Sequence, residues 1–322
     1  MSNELSYAQT VPHVESLRRD GVYLGIGPEQ NFTFIAAMAP RLAFIVDIRR
    51  ENLLLHLLYK AVFELSDDRA SFLSRLFGRP SPTRLQRSAP ARELLRHYAA
   101  VPKEAGLFRR YVAEIRRQLT EVHGFPLNSD DLSTIERLHG LLYEHGTAIS
   151  YTSTHQTRIA APVTFAVLMS QTDTRMRELS VLATEERYGA VRQRQIRNVV
   201  VPVVGNVAGP KTIRAIGTHL RASGAFVTAF YVSNVEDYLA PAQVPPNGRW
   251  SDFCANVATL PLTGDSVFVR PAGLAWRTPD GRLLFRSEMA LGLPEPLERF
   301  LYTQPELPSP MFPILPEVRR CD

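Results

Sequence analysis

The stretch GVYLGIGPEQNFTFIAAMAPRLAFIVDIRREN, residues 21–52, restricts what this chain can fold into more than any other. Gly21 to Gly25 reads as a compact apolar strand, and Asn31 to Ala39 as a helix stopped by Pro40. Leu42 to Asp47 is then an unbroken apolar run, the texture of a parallel strand buried on both faces. The pattern returns at residues 198–239, with a strand at Val199–Val204, a helix at Pro210–Ala222 opened by proline and followed by Gly224, and a strand at Ala225–Val232. Strand, helix, strand implies a parallel βαβ unit with a right-handed crossover. The expected fold class is therefore α/β, with a Rossmann-like, doubly wound, mostly parallel sheet.

Between these two regions the texture changes. Glu51 to Leu65 carries leucines at helical spacing. From Ser66 to about Leu127, arginine-rich amphipathic pieces, DDRASFLSRLFGR and FRRYVAEIRRQLTEV, are separated by the loop-like GRPSPTRLQRSAP. Further helices are expected at Asp130–Glu144, capped by Ser129 or Asp130, and at Val163–Ser170. The chain thus divides into residues 1–65, the first half of the α/β domain; 66–197, a mainly helical insertion or cap; and 198–322, the second half and a tail. Beyond Pro241 the sequence predicts a proline-rich turn, a helix at Trp250–Val257, a strand at Ser266–Arg270, a hairpin turning at Pro279–Gly281 and a proline-rich tail.

Composition narrows the class of protein. The 45% hydrophobic and 21% charged content is that of a globular chain, and no run reaches the roughly eighteen apolar residues of a membrane span. MSNELSYAQTVPH lacks the basic-then-apolar pattern of a secretory signal, so the expected location is the cytoplasm. Cys254 and Cys321 are too few for a disulfide framework and have no zinc-site spacing, which fits a reducing compartment. The net charge of +5 comes from dispersed arginines such as Arg109, Arg110, Arg116 and Arg117. No aromatic residues interleave with them as a base-stacking platform, which argues against nucleic acid and leaves an anionic small substrate compatible. His139, His145 and His155 are spaced by six and ten, not as two ligands on one helical turn, so no metal is expected. No G-x-S-x-G elbow points to a serine hydrolase.

The ligand-binding reading rests on the glycine turn and its distant acid. Gly25 and Gly27 let the chain turn tightly and let a ligand approach the main chain, while the following helix offers amides and a partial positive charge at its start. Asp47, ending the next strand, is spaced to accept hydrogen bonds from the hydroxyls of a ribose. Alternatively Asp47 pairs with Arg49 or caps a helix at Arg50, and Arg49 and Asn52 only orient the turn. Gln30 stands where a dinucleotide site wants its third glycine, and a P-loop ending is missing, which lowers NAD and ATP. S-adenosylmethionine needs less room at such a turn, because its carboxylate and amine replace a pyrophosphate.

The LGIGP turn and VDI acid resemble the cofactor motifs of class I S-adenosylmethionine-dependent methyltransferases. GIGPEQNFTFIAAMAP, AFIVDIRREN, LLYKAVFELSDDRASFLSRLF, VPVVGNVAGPK and FYVSNVEDYL resemble more closely a largely uncharacterised bacterial family with a methyltransferase-like fold, over most of the chain. The resemblance implies S-adenosylmethionine as cofactor, held by Gly25, Ile26, Gly27, Pro28, Glu29, Asp47, Ile48, Arg49 and Asn206, and a small-molecule substrate. It places VVGNVAGPK at the end of the fourth strand, where Asn206 contacts substrate or serves a turn before the next helix. Tyr23 and Glu29 replace an acid and a glycine of the usual motif. Glu29 either takes over the contact to the cofactor amine or repels the cofactor carboxylate.

Substrate candidates on the same reading are Asp173, Lys211, Ser233 and Asn234. Three of them have a plain alternative, Lys211 as a solvated first-turn lysine and Ser233 and Asn234 as helix caps. No residue is singled out as the catalytic base. The functional expectation is a methyltransferase acting on a small molecule; the rivals are a non-catalytic binding or scaffold protein of the same fold, and an enzyme of another adenosine-containing ligand.

Overall fold

Both apolar units deliver their strands. The computed structural model describes residues 2, 7–82, 85–155, 163–173, 175–239 and 249–269, and the strand segments 272–277, 283–288 and 295–296. Five parallel strands, β1 (Val22–Ile26), β2 (Leu42–Asp47), β3 (Val200–Val204), β4 (Val227–Tyr231) and β5 (Leu262–Val269), lie in the order β3-β2-β1-β4-β5. β6 (Ala272–Arg277) and β7 (Leu283–Glu288) pair separately as antiparallel neighbours, and β8 (Glu295–Pro296) adds an antiparallel edge beside β5. The expected turn at Pro279–Gly281, the proline-rich turn after Pro241 and the tail lie outside the described residues. The chain is α/β and compatible with a Rossmann-like fold.

The second region delivers its strand, helix and strand, and the two strands take places apart in the sheet. β3 is the edge strand beside β2, whereas β4 pairs with β1, so the helix between them, Thr212–Ala222, joins strands that are not neighbours. VVGNVAGPK accordingly follows the third strand of the chain and not the fourth. Local spacing shows that two strands are joined by a helix, but not which partners they find across the sheet. The helix itself begins two residues later than expected, with Lys211 at its N-cap.

By its contacts the chain divides into two compact units. The sheet-bearing unit is Glu4–Ile26, Pro40–Ile48 and Val203–Asp322. Its core is aromatic around β4 and β5, with Phe230 edge-on to Phe268 at 5.5 Å and Trp250 and Phe253 of the helix Arg249–Val257 tilted against each other at 5.6 Å. Every residue of β1 is buried, as is every residue of β2 after Leu42, which is what an apolar run without alternation requires. Cys254 is buried here.

The helical unit is Met1–Asn3, Gly27–Ala39 and Arg49–Pro202, and so takes in more than residues 66–197. Its core is another aromatic cluster in which Phe63 meets Phe32, Phe72 and Tyr188 at 4.5 to 5.4 Å. The helix Gln30–Met38 is buried along its whole length, and Arg50–Glu64 carries the leucine face seen in the sequence. The helix expected at Asp130–Glu144 spans Ser129–His145, and its cap is Asn128, which closes a reciprocal capping box with Asp131. That expected at Val163–Ser170 is the shorter Phe165–Met169.

Buried polar groups pin these helices together. Lys60 Nζ donates to Glu64 at 2.6 Å and to the Gln195 carbonyl at 2.5 Å, while His123 and Gln118 close on the other Glu64 oxygen. Burial pushes the Glu64 carboxyl up, but these hydrogen bonds win and hold it below its ordinary value. His139, one of the three histidines weighed for a metal or a base, donates from Nε2 to the Arg75 carbonyl at 2.8 Å. Burial lowers its pKa to about 4, only partly opposed by that carbonyl.

The His139 shift has a definite sign. Unfolded, the ring takes up its proton near pH 6.5; folded, it stays neutral until about pH 4. Stability from this group is complete above pH 6.5 and falls as the pH drops towards 4, by about 2 kcal/mol at pH 5. Urea melts at pH 7.5 and pH 5 are expected to show this loss in the wild type and to lack most of it in His139→Gln. Equal pH dependence in the two proteins would contradict the assignment.

Candidate functional site

In an open parallel sheet, ligands gather beyond the carboxyl ends of the strands where the order reverses, here between β1 and β4. Gly25 pairs with Ile45 of β2 on one side and Tyr231 of β4 on the other, so β1 is the central strand and Ile26 its last residue. Asp47 ends β2, is 8% exposed, and its carbonyl accepts from the Gly205 amide at 2.8 Å, tying the ends of β2 and β3 together. Ile48 follows at once and is 66% exposed, a large apolar side chain standing in water beside a buried acid. Thus Gly25, Ile26, Asp47, Ile48 and Gly205 share one rim of the sheet-bearing unit.

Asn206 stands on that rim and makes a turn. Its side-chain oxygen accepts from the Ala208 amide at 2.9 Å and its carbonyl from Gly209 at 3.0 Å. Gly205 must be glycine, because a Cβ there would come within 2.0 Å of Thr212 Oγ1. Asn256, which sequence reasoning missed, is buried and fixes this loop by donating to the Val207 and Gly209 carbonyls at 2.9 and 2.8 Å. Nothing local to Asn256 signals that role, since its partners are almost fifty residues away. Ser233 takes the left-handed backbone conformation, with φ of 52°, just after β4, where few non-glycine residues are found. Asn234 is half-buried beside it, before the short helix Val235–Leu239, and Lys211 is exposed.

The glycine turn is built differently from expectation. Gly25 belongs to β1, and Gly27 alone adopts a positive φ, 86°. The Gly27 carbonyl is held by three side chains of its own unit, Asn31 Nδ2 and Asn52 Nδ2 at 3.1 Å and His56 Nε2 at 3.0 Å. A carbonyl only accepts, so His56 carries its proton on Nε2. Asn52, expected to orient the turn, does so directly; His56, one helical turn further on, was not foreseen. The helix behind the turn offers fewer amides than expected, because Asn31 and Phe32 already donate to the Pro28 and Glu29 carbonyls.

Gly27→Ala isolates the backbone demand, since a Cβ there would meet nothing within 4 Å. The cost is that of a left-handed alanine alone, about 1–2 kcal/mol, and denaturant melts are expected to show it. An unchanged midpoint would mean that the turn does not need its positive φ.

The remaining candidates separate. Glu29 is buried, with Oε1 accepting from the Ser2 amide at 2.7 Å and Oε2 lacking a hydrogen-bond partner. Pro28 and Arg49 line a cleft of the helical unit together with Asn52, Leu55, Leu138 and Leu142. Asp173 is fully committed to its own loop: the Arg175 and Arg177 amides reach Oδ1 at 2.9 Å each, and the Arg177 guanidinium reaches Oδ2 at 2.7 and 2.9 Å. Burial alone would raise its pKa, but these donors hold it below the ordinary carboxylate value, which unsuits it to act as a base.

A five-strand parallel sheet flanked by helices, whose central strand runs into a glycine turn and whose next strand ends on a buried acid, is compatible with a Rossmann-like fold. The family profile described as a domain of unknown function, DUF7790, matches residues 1–122 and 140–283, and the chain belongs to that family. No curated protein matches it.

Proposed function

We propose that the protein binds S-adenosylmethionine and acts as a methyltransferase on a small molecule. The observation that carries this reading is the pairing of a buried acid, Asp47, with an exposed apolar neighbour, Ile48, at the end of the strand beside the central one. An acid there accepts from both hydroxyls of a ribose, and an exposed isoleucine beside it offers a flat apolar contact to an adenine.

When bound, the cofactor supplies a methyl group on a sulfonium. The chain's own task is to orient that group and the acceptor in line. Lys211 would bind an anionic acceptor electrostatically, and Asn206, Ser233 and Asn234 would supply polar contacts to it.

The scaffold reading draws on one observation, that the Asn31 and Phe32 amides are already used. A panel of S-adenosylmethionine, S-adenosylhomocysteine, NAD and ATP in thermal melts decides between the readings. The two sulfur nucleotides are expected to raise the melting temperature with concentration, as any ligand selective for the folded state does. Stabilisation by NAD or ATP alone would favour the other adenosine ligands, and no stabilisation by any would favour the scaffold.

A further inference from the structure

We propose that the peptide bond in front of Ser2 is hydrolysed as the protein matures, so that the freed α-ammonium of Ser2 forms a buried ion pair with Glu29. Both residues belong to the helical unit, and the pair needs no bound ligand.

Glu29 is a carboxylate short of donors. It is 1% exposed; Oε1 accepts from the Ser2 backbone nitrogen at 2.7 Å, and Oε2 is buried with no hydrogen-bond partner. Among the described residues no lysine, arginine or histidine is paired with it. A carboxylate has about four acceptor positions, and keeping one away from water on a single neutral donor is costly and rare in native proteins. Tyr59 does not relieve it, since its hydroxyl is also buried without a partner. Burial first, and the charge of Glu29 second, drive the Tyr59 pKa up, which sets the phenol beside the carboxylate with no hydrogen bond between them.

The donor at the carboxylate is the Ser2 nitrogen, and its chemistry depends on what stands in front of it. As an amide it is neutral and carries one proton. Hydrolysis adds the hydroxyl of water to the carbonyl carbon of Met1 and a proton to the Ser2 nitrogen, which takes one more proton from solvent near neutral pH. Met1 departs as a carboxylate, and Ser2 keeps a positive charge and three N–H donors. No electrons are exchanged, and the co-reactant is water, delivered by a peptidase.

The surroundings of Ser2 suit that ammonium. Ser2 is 7% exposed, and its hydroxyl donates to Gln30 Oε1 at 2.5 Å, so one residue makes a two-point clip over the start of the helix Gln30–Met38. The hydroxyl bond holds the nitrogen in place in either form. An ammonium keeps the contact to Oε1 as a stronger, charge-assisted bond and has protons left for Oε2. Glu29 then changes from an uncompensated buried charge, the costly case, into half of a hydrogen-bonded ion pair.

Intact-mass spectrometry of the full chain, expressed with nothing in front of Met1, is expected to show residues 2–322, lighter than the full sequence by one methionine. Two preparations are then melted near neutral pH, one with Ser2 first and free, the other with a tag left joined to Ser2 through a peptide bond. The free form is expected to melt about 5 °C higher, the shift for a gain the size of a hydrogen bond to a charged group. In Glu29→Gln the two preparations are expected to melt together, because the ammonium has lost its counter-charge. Retention of Met1, equal melting of the two wild-type preparations, or an undiminished gap in Glu29→Gln overturns the proposal; the first two outcomes decide it even if Glu29→Gln does not fold.

Discussion

Replacing Arg69 with methionine is expected to cost about 3–5 kcal/mol of stability, the largest effect of any single substitution considered for this protein. Arg69 is 2% exposed, and its guanidinium makes four hydrogen bonds. Nε donates to Glu185 at 2.9 Å, Nη1 to the Leu182 and Ala183 carbonyls at 2.7 and 3.0 Å, and Nη2 to the Arg87 carbonyl. One side chain at the start of the helix Arg69–Phe77 therefore satisfies three carbonyls and the first-turn acid of the helix Glu185–Ile196. Methionine fills much of the volume but removes the guanidinium donors of the three carbonyls and of Glu185 Oε1, and the stranded carbonyls dominate the cost. A fall in melting temperature of roughly 10 °C is expected by scanning calorimetry. Glu185→Gln, which keeps an acceptor, is expected to cost much less. A methionine variant as stable as wild type would mean that the arginine is replaceable by packing alone.

The second large effect concerns the ligand. Asp47→Ala is expected to weaken S-adenosylhomocysteine at least a hundredfold, because a carboxylate accepting two ribose hydroxyls contributes about 1.5–3 kcal/mol for each bond. The link that Asp47 makes to Gly205 runs through its backbone carbonyl and is kept in the variant. Asp47→Asn, which keeps one acceptor oxygen, is expected to fall between wild type and alanine.

How much of this was legible in the sequence follows from the range of the forces involved. β1 and β2 were readable to within a residue because a central parallel strand must be apolar throughout, and Val22–Ile26 and Ala43–Val46 are. Gly27 was readable as a turn because only glycine takes a φ of 86° at little cost. The position of β3 at the sheet edge was not, since it depends on pairing with residues more than 150 positions away. The same holds for the site: Asp47 and Ile48 follow from the strand that carries them, whereas the Asn52 and His56 grip on Gly27, the Asn256 clamp on the loop after β3 and the Ser2 clip on Glu29 join distant residues. Asp173 shows the converse error, an acid singled out as a substrate contact by position although its own arginine, four residues on, consumes it.

Titration calorimetry of S-adenosylhomocysteine into wild type and Asp47→Ala tests the central claim most directly. Saturable, micromolar binding to wild type, lost in a folded Asp47→Ala variant, is the expected result. No binding to wild type, or the same affinity in both proteins, would contradict it.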